Sequence, residues 1–322
     1  MRLLIVLCLI LFISGNPLFP QNNISRLDQN LIKENGISGV TEWNHEYKGG
    51  NPSETGTISL RARYDKNGYT LEEITFDSRG QESRKITNRY DNKGNRIGHT
   101  VFDSKNNRIT FSQMAGFDEQ GNKIAEWGFD GLGNYRNKYQ LNPDGSVSEI
   151  HYTTQGRLKE ERVFDYSDNK TLITVVLPDN SIAEKIRLLH NSTGEMIEEA
   201  YYDNQDNLRR KIEYTYNRAG KKTEERRYNG SEMQYRKRFL YDNNLLQKII
   251  KTDRTGVDVV TNYYTYDENG NLIKEAWYNK NADDYSTREF SWDNQGNVTS
   301  VASYYASYQF QVLYRYDYSF FY

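Results

Sequence analysis

The sequence predicts an all-β fold: an extended antiparallel β-meander repeat array, running as a twisted or spiralling sheet. Three observations predict it. An aromatic residue followed by Asp, with Gly three residues beyond, recurs as Tyr64-Asp65…Gly68, Phe76-Asp77…Gly80, Tyr90-Asp91…Gly94, Phe117-Asp118…Gly121 and Phe129-Asp130…Gly133, and again as Tyr266-Asp267…Gly270 and Trp292-Asp293…Gly296. The aromatics step by mostly 12 to 14 residues, for instance 64, 76, 90, 102 and later 266, 278, 292, 304, 316. Such regularity marks a repeat architecture. The chain also holds 27 Tyr and five Pro among 322 residues with a hydrophobic content of 36%, a balance that suits exposed sheet better than a thick globular core.

Each element follows from the turn. Asp or Asn accepts a hydrogen bond from a backbone amide two residues on, and Gly takes the positive φ that closes the loop. The aromatic then sits at a strand end, and seven to nine residues remain for each strand, as in 122–129 and 271–278. Successive strands therefore read as an antiparallel meander. Charge falls on both faces of several, such as 158–164 and 221–228, so a two-sheet sandwich with one clean apolar face is not expected.

The ends differ from the array. Met1 and Arg2 precede an apolar run of 11 residues, Leu3 to Ile13, then Ser14 and Gly15, the pattern of a signal peptide over residues 1–15, with cleavage as late as about 21. That run is shorter than the roughly 20 residues a spanning helix needs. Cys8 is the sole cysteine and lies inside the run, early rather than at its end, so neither a disulfide nor a lipid-bearing N-terminus is expected. Residues 16–56 read as a leader with room for a first hairpin around Val40 to Gly56, and 57–322 as the repeat domain. At the far end Tyr308, Phe310, Val312, Tyr314, Tyr316, Tyr318, Phe320 and Tyr322 alternate, which places an almost wholly aromatic row on one side of a strand. Outer-membrane barrels often end this way, so an outer-membrane β-barrel is the alternative reading. The plainer reading is a terminal strand that closes the array.

Degenerate copies fill the middle, where Leu141-Asn142…Gly145, Tyr152…Gly156, Phe164-Asp165, Leu177-Pro178, His190-Asn191…Gly194 and Tyr202-Asp203 keep the spacing while losing residues. The segments Tyr264-Thr-Tyr-Asp-Glu-Asn-Gly-Asn-Leu-Ile-Lys274 and Arg89-Tyr-Asp-Asn-Lys-Gly-Asn-Arg-Ile97 resemble the RHS or YD-repeat family, over about residues 57 to 300. The resemblance implies an exported or surface protein with a spiralling β-strand shell and roles in attachment. No Asp-Pro-x-Gly junction or C-terminal toxin segment accompanies it.

The charges, 42 basic against 44 acidic, supply no uniform field for nucleic acid or anionic membrane. Turn capping accounts for Asp65, Asp91 and Asp267 without a metal, and the spacing of calcium loops is absent from the sequence. His45, His99, His151 and His190 are too dispersed for a zinc or catalytic cluster. The pairs Glu72-Glu73, Glu160-Glu161 and Glu198-Glu199 raise a polysaccharide hydrolase as a further alternative, but they lie beside Lys and Arg in repeat strands and read as solvated ladder charges. No catalytic residue, cofactor or metal is assigned. Trp43, Trp127, Trp277 and Trp292 are the candidate ligand-stacking residues, since flat rings give contact area at little entropic cost. The expectation is an exported bacterial YD-repeat-like structural or binding module of the periplasm, cell surface or medium, attaching to a protein or glycan, with membrane association through the terminal aromatic strand.

Overall fold

In the computed structural model, residues 29–143, 145–152 and 156–322 are described, so the expected signal peptide and Cys8 lie outside the described residues. Apart from a short helix (Gln29–Glu34) and one 3-10 turn (Ala306–Tyr308), the described elements are 23 strands. Asn51–Pro52 is a two-residue rung on the first strand (Ile37–Lys48), and the other 22 strands form one antiparallel meander. The last strand (Phe310–Phe320) pairs with the first, from Gly39 opposite Ser319 to Glu46 opposite Val312. The sheet is therefore a closed β-barrel, which corrects the expected extended, spiralling array. Within the segment expected as a leader with room for a first hairpin, Ile37–Lys48 is a full barrel strand, paired on one side with the last strand and on the other with Thr57–Tyr64. An even number of alternating strands makes the two ends of the meander antiparallel, so they can pair and leave no edge.

The turn has the chemistry read from the sequence. At Asp267 the carboxylate Oδ1 accepts the amides of Asn269 and Asn271 at 2.9 and 2.8 Å, while Oδ2 accepts Asn271 Nδ2 at 2.9 Å. Gly270 closes the loop at φ 84°. Asp91, Asp118 and Asp293 repeat the arrangement with Asn95, Asn122 and Asn297. Asn191 and Asn217 do the same work with an amide oxygen.

Beyond most of these turns the register slips by one residue. Tyr64 lies opposite Thr70 but Arg63 opposite Glu72, and the same step follows Phe76, Tyr90, Phe117, Tyr216, Tyr266 and Trp292. A one-residue bulge exchanges the two faces of the strand that follows. Since the aromatic steps are even, each bulge sends the next aromatic to the opposite face. Tyr64, Tyr90, Phe117, His190, Tyr216, Tyr241, Tyr266, Trp292 and Tyr318 thus ring one rim on a first face. Tyr47, Phe76, Phe102, Phe129, Tyr152, Tyr202, Tyr228, Tyr278 and Tyr304 ring the other rim on the second face.

The first ring is pinned. Tyr90, Tyr216, Tyr266 and Tyr318 donate their hydroxyls to the carbonyls of Thr70, Met196, Leu246 and Val298 at 2.8 to 3.2 Å, and Trp292 Nε1 donates to Leu272 at 2.9 Å. These carbonyls lie at the starts of return strands, beside the bulges where the ladder is interrupted.

Packing runs between neighbours in the sheet, and the apolar core is correspondingly local. The larger cluster lies at the seam: Ile32 of the helix, Ile37, Val40, Leu60, Ala62, Tyr64, Val298, Val301 and Tyr316 are buried together. Burying each large aliphatic side chain contributes roughly 1.5–3 kcal/mol. The helix also ties turns on both sides of the seam, with Gln29 Nε2 donating to Asn67 O at 3.0 Å and Asn35 Nδ2 to Asn297 Oδ1 at 2.8 Å. A smaller cluster of Ile173, Ile186 and Leu188 supports the far wall.

Two outcomes test this account. A Cβ at Gly270 meets nothing within 4 Å, so Gly270→Ala isolates the backbone strain of positive φ. It should cost about 1–2 kcal/mol, and Gly270→Asn less, read from urea unfolding midpoints. Removing residues 310–322 should open the barrel and expose two strand edges, so the truncated chain should self-associate in light scattering; a monomer with full β-sheet dichroism would contradict closure through this strand.

Candidate functional site: an aromatic platform beside the seam

Strand Leu272–Asn279 brings Trp277 to the first face, opposite Ser286 of the next strand. Ser286 is 1% exposed and so small that Trp277 reaches over it to Tyr305, with ring centroids 6.1 Å apart and planes at 68°. Its hydroxyl oxygen accepts the amide of Ala306 at 3.0 Å, which anchors the 3-10 turn. Gln309, at φ 48°, closes that turn. Phe310 then stacks on Tyr305 across the hairpin at 6.3 Å, planes at 23°.

The platform is Trp277, Tyr305 and Phe310, with Tyr308 in the 3-10 turn that joins the last two. Phe310 is 43% and Tyr308 70% exposed, while Trp277 and Tyr305 are half-buried, so the platform is open on its Phe310 side. The Arg288 guanidinium sits 4.9 Å from the Trp277 ring and donates to Glu275 Oε1 at 2.8 Å. Partly exposed rings beside a neutralised donor–acceptor pair can stack on a flat ligand face while hydrogen-bonding its edge.

The other predicted tryptophans do not join it. Trp43 lies on the second face and donates Nε1 to Asp317 at 2.7 Å. Trp127, 44% exposed, is also on the second face, in Lys123–Phe129. Trp292 packs against the seam core. Tyr305, Phe310 and Arg288 went unassigned in the sequence. The terminal aromatic alternation was a signal for Phe310; nothing local paired it with Trp277.

The carboxylate pairs separate. Glu72 and Glu73, Glu160 and Glu161, and Glu198 and Glu199 are consecutive in strands, so the members of each pair face opposite sides of the sheet. A groove of about 840 Å3 on strands 182–242 does gather Glu198, Glu213 and Glu224. Burial tends to raise the Glu213 carboxyl, but hydrogen bonds from Lys211 and Tyr228 and the charges of Lys211 and Arg226 hold it below the usual range. Glycoside hydrolysis instead calls for one carboxyl held protonated beside an ionised partner.

Among the described residues no three His, Cys, Asp or Glu side chains form a group that could hold a metal ion. The histidines remain apart. His45 Nδ1 bonds Ser53 O at 2.8 Å, and His151 lies 3.5 Å from Glu149. His99 Nδ1 bonds Asn88 Oδ1 at 2.8 Å, and burial, with the charges of Arg96 and Arg84, pushes its pKa down to about 4.

No family model matches the sequence, and no curated protein matches it. Among solved structures, the chain is similar over 85% of its length to the Photorhabdus luminescens Tc holotoxin pore, at 14% identity and a TM-score of 0.28. It spans 18% of that toxin chain. It is also similar to a porin-like protein from Bacteroides uniformis, at 10% identity and a TM-score of 0.31, covering 88% of this chain and 97% of that one. A porin-like protein from Bacteroides vulgatus follows at 12% identity and a TM-score of 0.24, covering 88% and 98%. At such distances these likenesses carry no weight for function, which rests on the geometry of the chain itself.

The depressed His99 pKa fixes a sign. The unfolded imidazole takes up a proton near 6.5 and the folded one near 4, so its contribution to stability is complete above about pH 6.5 and is lost as pH falls toward 4. His99→Asn should flatten that part of the pH–stability curve, measured by urea denaturation at stepped pH; an unchanged slope would refute it.

Proposed function

We propose that the chain is an exported, non-catalytic binding module of the bacterial cell envelope or surface, its barrel a rigid support for the aromatic platform. The carrying observation is the meeting of Trp277, Tyr305 and Phe310 as partly open rings beside the Arg288–Glu275 pair. Its ligand is a glycan, whose apolar ring faces suit stacking and whose hydroxyls suit a neutral donor–acceptor pair.

The outer-membrane barrel is the second reading, and the closed, even-numbered meander with short turns favours it. Two features weigh against it. A spanning barrel needs both aromatic girdles on its lipid-facing side, whereas here the two rings occupy opposite faces. Both walls are also charged at mid-strand: Glu42, Glu73, Glu126, Arg162 and Glu225 lie on the first face, and Arg61, Lys85, Arg136, Glu161, Lys211 and Lys248 on the second. Each Arg or Lys at the bilayer midplane costs about 2–4 kcal/mol.

Glycan-array binding by the full chain tests the proposal. Trp277→Ala should weaken the strongest signal roughly fivefold to tenfold, in line with the worth of one aromatic contact. Unaltered binding by the variant, or none by a folded wild-type chain, would refute the platform. Extraction only with detergent, together with heat-modifiable gel mobility, would turn the assignment to the outer membrane.

A further inference from the structure

The closing seam buries a carboxylate that no base neutralises. Glu42, near the middle of the first strand and 5% exposed, turns onto the first face, where Tyr316 of the last strand lies directly opposite it. Its Oε1 accepts the Ser59 hydroxyl at 2.6 Å, donated from the bulge where the register slips between Leu60 and Ile58. Its Oε2 has no hydrogen-bond partner. Two more oxygens share that condition: the hydroxyl of Tyr316, which is 6% exposed, and the buried Oδ1 of Asn44, one step along the same face of the first strand. Burial pushes the Glu42 carboxyl above its usual range against the hydroxyls of Ser59 and Tyr316, and the nearby Glu73 charge adds to it. Among the described residues no Lys, Arg or His forms an ion pair with Glu42 or Glu73. Arg288, on the same face, is engaged by Glu275, and Arg315 of the last strand lies opposite Trp43 on the other face.

We propose that Glu42 Oε2, Asn44 Oδ1 and the Tyr316 hydroxyl oxygen hold a monovalent metal cation, sodium or potassium, that locks the closed barrel. Residues directly opposite across a ladder have Cβ atoms about 5 Å apart, and same-face neighbours along a strand stand about 7 Å apart, so the three side chains can converge on one ion. A buried charge without a partner is costly, and either a proton or a cation relieves it. The three oxygens favour the cation. A proton on Oε2 serves one pair of atoms and leaves Asn44 Oδ1, an acceptor, without a donor, whereas a cation draws a lone pair from each. Charge sets the valence: calcium takes about six to eight oxygens, commonly from several carboxylates, while one carboxylate with two neutral oxygens balances a single positive charge. Glu73, on the same face beyond Ala62, adds negative potential. The ligands come from both the first strand and the last, so one ion ties the two sides of the seam. The site is separate from the aromatic platform.

Urea unfolding of the full chain in sodium, potassium or choline chloride at equal ionic strength tests it. The midpoint should rise as sodium or potassium replaces choline, an ion too large for the site, because a ligand that binds the folded chain stabilises it. Glu42→Gln keeps the shape of the side chain and removes its charge, so the dependence should vanish, and Asn44→Ala should weaken the apparent affinity at least fivefold. Glu126→Gln, at a buried carboxylate already paired with Lys123, should respond as the wild type does. Equal midpoints of the wild-type chain in all three salts would overturn the proposal without reference to any variant. A response that survives Glu42→Gln, or one to calcium chloride with none to sodium or potassium, would overturn it as well. Trp277→Ala should keep the full response, and a loss there would place the cation on the aromatic rings instead.

Discussion

The oxygen at the head of the recurring five-residue turns, a carboxylate in Asp267 and an amide in Asn217, is the group on which the rest of the barrel depends. By accepting two backbone amides it fixes a five-residue loop whose last pairing is followed by a one-residue bulge. The bulge has a consequence larger than its size. Where it occurs it exchanges the faces of the strand that follows, so an aromatic that occupies the same place before the turn is delivered to opposite faces at the two rims. The hydroxyls of one rim then secure the carbonyls that the bulges leave outside the regular ladder.

Closure brings in a second constraint. A meander with little core has stability mainly from neighbour pairing, and its two terminal strands would be exposed edges. Here those edges satisfy each other. The seam is also where the apolar cluster is largest, and the helix at Gln29–Glu34 fastens turns on both sides of it. The aromatic alternation of the last strand has a structural purpose there: Tyr316 and Tyr318 pack into the seam, while Phe310 at the strand's start remains open as part of the platform.

The site was legible only in part. Trp277 was identified from its residue type, yet nothing in its own strand distinguishes it from Trp127, which lies on the other face with no ring beside it among the described aromatic contacts. Ser286 separates them in effect. A larger residue at that position would block Trp277 from reaching Tyr305, and its smallness has no meaning in the sequence until the register sets it between the two rings. The consecutive glutamates show the converse: adjacency in sequence suggested cooperation, and the period of a strand assigns their members to opposite faces.

The sequence by itself determined the all-β class, the turns, the strand lengths and the antiparallel order of the meander, because each depends on contacts within a dozen or so residues. Tertiary structure alone decided that the array closes, since pairing of Ile37–Lys48 with Phe310–Phe320 joins segments separated by nearly the whole chain, and a local repeat reads the same in an open sheet as in a closed one. It also decided which aromatics meet. Face and neighbour follow from the count of bulges and from the small residue between two strands, and both are properties of the paired sheet rather than of any one segment.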